Sequence, residues 1–212
     1  MSRIIGIDVG GTNTNAAFIE DGTLIATAKY PTDHHNLISS VSAVLEEIYH
    51  SIPHHLREQL ELHLSTTLTT NAIVEGRGQP VAAILTPGPG ASLSDLEFPF
   101  PIFPVKGTID HRGRETEPLD LAEIRQALDS IRQKGITALA IVGKFSTRNP
   151  QHELAIAELV RKEYPEFASI TLGHSLSGRL NFPRRVMTAF LNASISHIQT
   201  GFAAMVKELS AR

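Results

Sequence analysis

Three short runs of apolar and β-branched residues open the chain, at Arg3–Val9, Asn15–Glu20 and Thr23–Tyr30, separated by Gly10-Gly11 and Asp21-Gly22. Such pairs reverse a chain tightly, so the spacing predicts a three-stranded antiparallel meander. From Asn36 onward Ile38, Val41, Leu45 and Ile48 recur at intervals of three and four, and Ser51-Ile52-Pro53 closes this helical face. Leu60, Leu62 and Leu64 then alternate with polar residues, a strand signature running into Ser65-Thr66-Thr67, with a helix starting near Leu68. Another strand is expected over Pro80–Leu85.

The cluster Thr86-Pro87-Gly88-Pro89-Gly90 and the Pro-rich stretch Phe98–Pro104 interrupt this pattern and mark an expected subdomain boundary. Beyond them the polar segment Asp110-His111-Arg112-Gly113 reads as a hairpin. Asp120 can cap a helix whose third residue is Glu123 and whose apolar face is Leu121, Ile124, Leu128 and Ile131, ending at Gly135. Ile136–Val142 is a nearly all-apolar strand. Asn149-Pro150 starts a helix carrying Leu154, Ile156, Leu159 and Val160, and Ser169–Leu172 is one more strand. Helices alternating with apolar strands argue for a parallel α/β layer. After Pro183 the residues Met187, Leu191, Ile195, Ile198, Phe202, Met205 and Leu209 keep helical spacing, a helix on the order of 40 Å long if unbroken.

Composition narrows the field of functions. The 212 residues are 42% hydrophobic, and 19 Lys plus Arg stand against 22 Asp plus Glu, so no basic surplus exists to neutralise a nucleic-acid backbone. The chain has no Cys, which excludes disulfides and thiolate metal sites and suits a reducing cytosol. Asp8 interrupts the run where a signal peptide would be apolar, and no later run approaches the roughly 20 residues of a membrane span. A cytoplasmic protein is expected, without nucleic-acid or membrane partners.

The chemistry concentrates in Ile7-Asp8-Val9-Gly10-Gly11-Thr12-Asn13-Thr14. A strand delivers an acid to the mouth of a Gly-Gly turn followed by hydroxyls. Glycines let backbone N–H groups approach a phosphate, Thr12 and Thr14 can add donors, and Asp8 can hold Mg²⁺ through water. Neither the Walker spacing nor the dinucleotide fingerprint occurs here. The same residues would also serve as a plain reversing turn with Asp8 at the surface.

Asp-x-Gly-Gly-Thr between the first two strands of a meander resembles the first phosphate motif of the actin and sugar-kinase ATPase superfamily. A second segment, His63–Gly78, contains Thr66-Thr67-Leu68-Thr69-Thr70-Asn71-Ala72, which resembles the Thr-Thr-x-x-Thr-Asn-Ala signature of the hydantoinase A and 5-oxoprolinase amino-terminal domain. Further matches follow in order at Phe145-Ser146, Asn149–Glu153, His174-Ser175 and Thr188–Ala193. The resemblance implies a ribonuclease H-like, actin-like mixed sheet over residues 1–90, an additional α/β subdomain over 91–182, and a long C-terminal helix over 183–212 leading to a remainder not included here.

The resemblance also implies an ATP- and Mg²⁺-dependent hydrolase that opens a cyclic amide of the hydantoin or 5-oxoproline type. The rest of the A subunit and a hydantoinase B-type partner would complete it, and the isolated chain would be inactive. Asp8, Thr66, Thr67, Asn71 and His174 are the catalytic candidates. Gly10, Gly11, Thr12, Asn13 and Thr14 would hold phosphates, and Asp8 the metal. Read from residues alone, the Thr cluster could equally cap the helix near Leu68, and His174 could be a structural histidine at a strand end. A small-molecule kinase and a nucleotide-sensing module remain alternatives. Two departures stand out: Asn15 replaces an acid found in many relatives, and Ser65 replaces a glycine. His34-His35 and His54-His55 read as loop residues rather than a metal site, and Arg179, Arg184 and Arg185 as surface charges at a helix boundary.

Overall fold

The structure, a computed structural model, describes residues 2–90, 93 and 97–210. It divides into two compact units, one formed by the chain up to Arg77 together with the segment from Ile198, the other by Gly78–His197.

In the first unit β1 (Arg3–Val9), β2 (Asn13–Glu20) and β3 (Thr23–Pro31) form the antiparallel meander. The helix α1 (Leu37–Ser51) follows, its first turn capped by the Asn36 side chain, which accepts from the Ser39 amide. The chain returns as β4 (Glu61–Thr66), parallel to β1, and enters α2 (Leu68–Val74). The order β3-β2-β1-β4 is the mixed, ribonuclease H-like arrangement expected. Strand periodicity of two sorts the side chains. Ile5, Ile7, Val9 and Phe18 point to the face that packs on Val41, Val44 and Ile48 of α1. Gly6, Asp8 and their register partners Ala17, Asn15, His63 and Ser65 therefore occupy the opposite face.

The second unit is built on β5 (Val81–Thr86), β6 (Ile102–Pro104), a small hairpin of β7 (Thr108–Ile109) and β8 (Glu115–Glu117), α3 (Leu121–Gln133), β9 (Ala138–Gly143), α4 (Gln151–Glu163), β10 (Ser169–Leu172), the short α5 (Gly173–Leu176) and α6 (Phe182–Ser210). Its main sheet has order β10-β9-β5-β6 with every neighbouring pair parallel. β5 and β9 are buried at every position, as all-apolar central strands with both faces covered must be. One face carries α3 and α4 through Ile124, Leu128, Ile131, Ile156 and Val160. The other carries Phe182, Val186, Ala189 and Ala193 of α6, with Phe100 stacked on Phe190 at a centroid distance of 4.0 Å. From Ile198 onward α6 contributes Ile198, Phe202 and Met205 to the core of the first unit. Among the described residues no helix is long and apolar enough to cross a membrane.

Several expectations meet a different outcome. The division between units falls at Arg77–Gly78, whereas composition placed a boundary at the Pro/Gly cluster after β5. β5 pairs with β9 and β6, so hydrogen bonding ties it to the second sheet. Ile102–Pro104, read as an interruption, is a strand. It lies at the sheet edge, where a proline costs no ladder bond. Leu121 and Leu154 are exposed at 44% and 46%: Leu121 is the first residue of its helix, and Leu154 lies two residues, hence 200°, from Ile156. Arg185, expected at the surface, is 1% exposed.

Candidate functional site

In the first unit the turn between β1 and β2 is closed by the Gly10 amide donating to the Asn13 carbonyl at 3.1 Å. A Cβ on Gly10 would sit 2.9 Å from that carbonyl oxygen, so the tight turn itself requires glycine. A Cβ on Gly11 would approach the Asn71 Nδ2 at 3.1 Å, which places the Asn71 amide directly against the turn. The Thr12 carbonyl accepts from the Thr32 amide and the Gly11 carbonyl from the His34 ring Nε2 at 2.6 Å. Among the described residues neither the Gly11 nor the Thr12 amide donates to a protein acceptor. Two adjacent unspent donors on a glycine turn are what an anion needs.

Asp8, the penultimate residue of β1, lies beside this turn, between Asn15 of β2 and Ser65 of β4 in the strand register. Its Oδ1 accepts from the Ser65 hydroxyl at 2.8 Å, which leaves Oδ2 available. Ser65, the departure from glycine, thereby orients the carboxylate. The sequence shows the substitution, but only the parallel pairing of β1 and β4 shows what it contacts. A cavity of about 760 Å³ opens on this face, walled in part by Gly6, Asp8, Asn15, Lys29, His63 and Ser65.

The remaining candidates of this unit divide. Thr67 and Asn71 are neighbours on the α2 entry, with Asn71 Nδ2 donating to Thr67 Oγ1 at 3.4 Å. The Thr66 hydroxyl donates to the Val9 carbonyl at 2.9 Å and accepts from the Leu68 amide at 3.1 Å, so it joins β4 to β1 and steadies the turn that leads into α2. Thr14 is 0% exposed, and its hydroxyl bonds that of Thr32 at 3.0 Å on the face packed against α1. Burial denies it a ligand, and its role is to hold the hairpin to the segment entering α1. Thr12 is exposed at the turn.

As for Mg²⁺, Asp8 is a lone carboxylate. No group of three or more His, Asp or Glu able to hold a metal occurs among the described residues. Mg²⁺ commonly takes one carboxylate and fills its remaining positions with water and substrate phosphates, so one free Asp8 oxygen beside a turn with two unspent amides fits that ion.

His174 belongs to the second unit, at the carboxyl end of β10. Its Nδ1 lies 2.6 Å from Glu153 Oε2, which also accepts from the His174 amide at 3.0 Å, while Glu153 Oε1 accepts from the Gly143 amide at 2.8 Å. Glu153 is buried, with its side chain 1% exposed, and it fixes the imidazole through Nδ1. Arg185 donates to the carbonyls of Gly143, Lys144 and Arg179. Burial pulls its guanidinium below its ordinary value, and the nearby charge of Glu153 opposes that shift. The sequence match through Glu153 gave no hint that this residue orients His174, because the two lie on different elements.

This architecture is found in two solved structures, and the likeness shows the fold. A nucleotide-free acetone carboxylase aligns with a TM-score of 0.74 at 19% identity, over 96% of this chain and 34% of that one. An ATP-dependent caprolactamase from Pseudomonas jessenii aligns with a TM-score of 0.70 at 24% identity, over 97% and 33%. Residues 4–164 match the hydantoinase/oxoprolinase N-terminal region. The chain belongs to that family. Curated relatives include the acetophenone carboxylase gamma subunit of Aromatoleum aromaticum, 28% identical over 98% of this chain, and the caprolactamase subunit alpha of P. jessenii, 27% identical over 98%. The chain spans about a third of the length of these relatives.

Proposed function

We propose that the chain is the phosphate-facing part of an ATP-dependent enzyme that opens a cyclic amide by phosphorylating its carbonyl oxygen. The observation that carries this is the pair of unspent amides at Gly11 and Thr12 beside the Ser65-oriented carboxylate of Asp8. Family membership and the names of relatives support it, one being a caprolactamase subunit, named for a lactam.

An unstrained amide is a poor electrophile. Transfer of the γ-phosphoryl group breaks its bond to ADP and makes one to the amide oxygen. Water then adds to the activated carbon, the ring nitrogen leaves with a proton, and a second water releases phosphate from the resulting acyl phosphate. Gly11 and Thr12 present the backbone amides, and Thr12 the hydroxyl, that position the transferring phosphate, on a turn that Gly10 and Asn13 close. Asp8 would hold Mg²⁺, and that ion when bound would neutralise phosphate charge. Thr67 and Asn71 supply polar contacts beside the turn. His174, fixed by Glu153, is a separate candidate for proton transfer, in the second unit. The cytoplasm is the proposed setting, and a B-type subunit the proposed partner. The carboxylase names favour a second reading, in which the activated oxygen belongs to a ketone.

The test is substrate-stimulated ATP hydrolysis by the longer protein with its partner, with products analysed. Asp8→Ala and Thr12→Ala are expected to lower turnover, Asp8→Ala by about a hundredfold or more. Unchanged turnover in both variants would remove the turn from the mechanism. A carboxylated product would select the second reading.

A further inference from the structure

A second cavity lies beyond the carboxyl ends of β9 and β10. There Thr147 and Arg148, in the loop after β9, and Gly178, Arg179 and Leu180, in the segment after α5, wall a cavity of about 430 Å³. Both arginines are exposed, and among the described residues neither guanidinium has a carboxylate partner. The Thr147 hydroxyl lies buried and unpartnered beneath the cavity wall, and a χ1 rotation toward a bound ligand would satisfy it.

The cavity is held in shape rather than left to loop motion. Buried Arg185 ties its two sides together, donating to the Arg179 carbonyl on one and to the Gly143 and Lys144 carbonyls on the other. Asn149 Nδ2, donating to the Gly113 carbonyl at 2.9 Å, anchors the far end of the Thr147–Arg148 loop. Open parallel sheets place ligand sites outside the carboxyl ends of their strands, and Leu180, 48% exposed, adds an apolar wall.

We propose that this cavity binds a small molecule bearing an oxyanion, a carboxylate or a phosphate on a short carbon skeleton. Arg148 and Arg179 would supply charge-assisted bonds, Thr147 a neutral one, and Leu180 contact with the apolar remainder. The proposal is independent of the nucleotide reading, since none of these residues belongs to the Gly10-Gly11 turn.

Titration of the 212-residue chain with inorganic phosphate and, separately, with pentanoate, against chloride at matched ionic strength, tests it by amide chemical shifts. Saturable shifts at Thr147, Gly178 and Arg179 are expected with at least one anion, and which one binds identifies the chemistry. Arg148→Gln and Arg179→Gln, exposed positions whose loss leaves the fold intact, should each weaken binding about tenfold. Thr147→Val should weaken it by a smaller factor, and Thr12→Ala should leave it unchanged. Absence of saturation with both anions, or binding indifferent to both arginine substitutions, overturns the proposal.

Discussion

At the scale of single residues, function and stability rest on polar groups whose partners come from distant parts of the chain. Asp8 is oriented by Ser65, 57 positions away, and Glu153 by the amides of Gly143 and His174. Asp110, in a structural role, finds its partners close by in the chain. Its carboxylate accepts from the backbone amides of Arg112 and Arg114 and from the Arg114 guanidinium. The Arg114 amide is the chief cause that holds its pKa down at about 2, from an ordinary value of 3.8. A folded value below the unfolded one gives stability that is present above pH 3.8 and lost as pH falls through about 2. Asp110→Asn is therefore expected to lower the thermal midpoint at pH 7, with the gap to wild type closing as the pH is taken from 4 towards 2. A gap that stays constant over that range would remove the carboxylate charge from the account.

At the scale of elements, the hydrophobic pattern located the helices well and their buried faces less well. Ile124, Leu128 and Ile131 of α3 are fully buried as their spacing required, while Leu121 on the first turn is not. Leu128→Ala is expected to cost about 2–5 kcal/mol, from lost burial and the cavity left behind. Leu121→Ala should stay within about 0.5 kcal/mol. Denaturant unfolding of the two variants measures both, and similar losses would contradict the packing described. The Asp120 cap formed as expected, but Glu123 did not complete a capping box. Its Oε2 accepts instead from the Lys106 amide at 2.8 Å, a tertiary partner that periodicity cannot show. The strand Ile102–Pro104 was illegible for a similar reason: a proline-rich run looks like a loop until its neighbour shows that it occupies an edge.

At the scale of the whole molecule, the chain matches one family over residues 4–164 and about a third of its curated relatives' length. Its sequence carries a single Gly-Gly pair, Gly10-Gly11. We expect the 212-residue chain alone to bind ATP with a dissociation constant weaker than the micromolar range, above about 100 μM, because one turn supplies few of the contacts a nucleotide needs. Calorimetry giving a micromolar constant would show that this chain holds a complete site.

What the sequence determined by itself was local: the meander, the helix caps, the apolar central strands, the long C-terminal helix and the glycine turn with its acid. These follow from periodicity and from the few residues that permit tight reversals, properties of neighbouring positions. Tertiary structure alone decided that β5 joins the second sheet, that Thr14 and Arg185 are buried, that Thr66 spends its hydroxyl on β1, and that Arg148 meets Arg179 around one cavity. Each of these depends on which distant backbone comes alongside, and no interval along the chain records that.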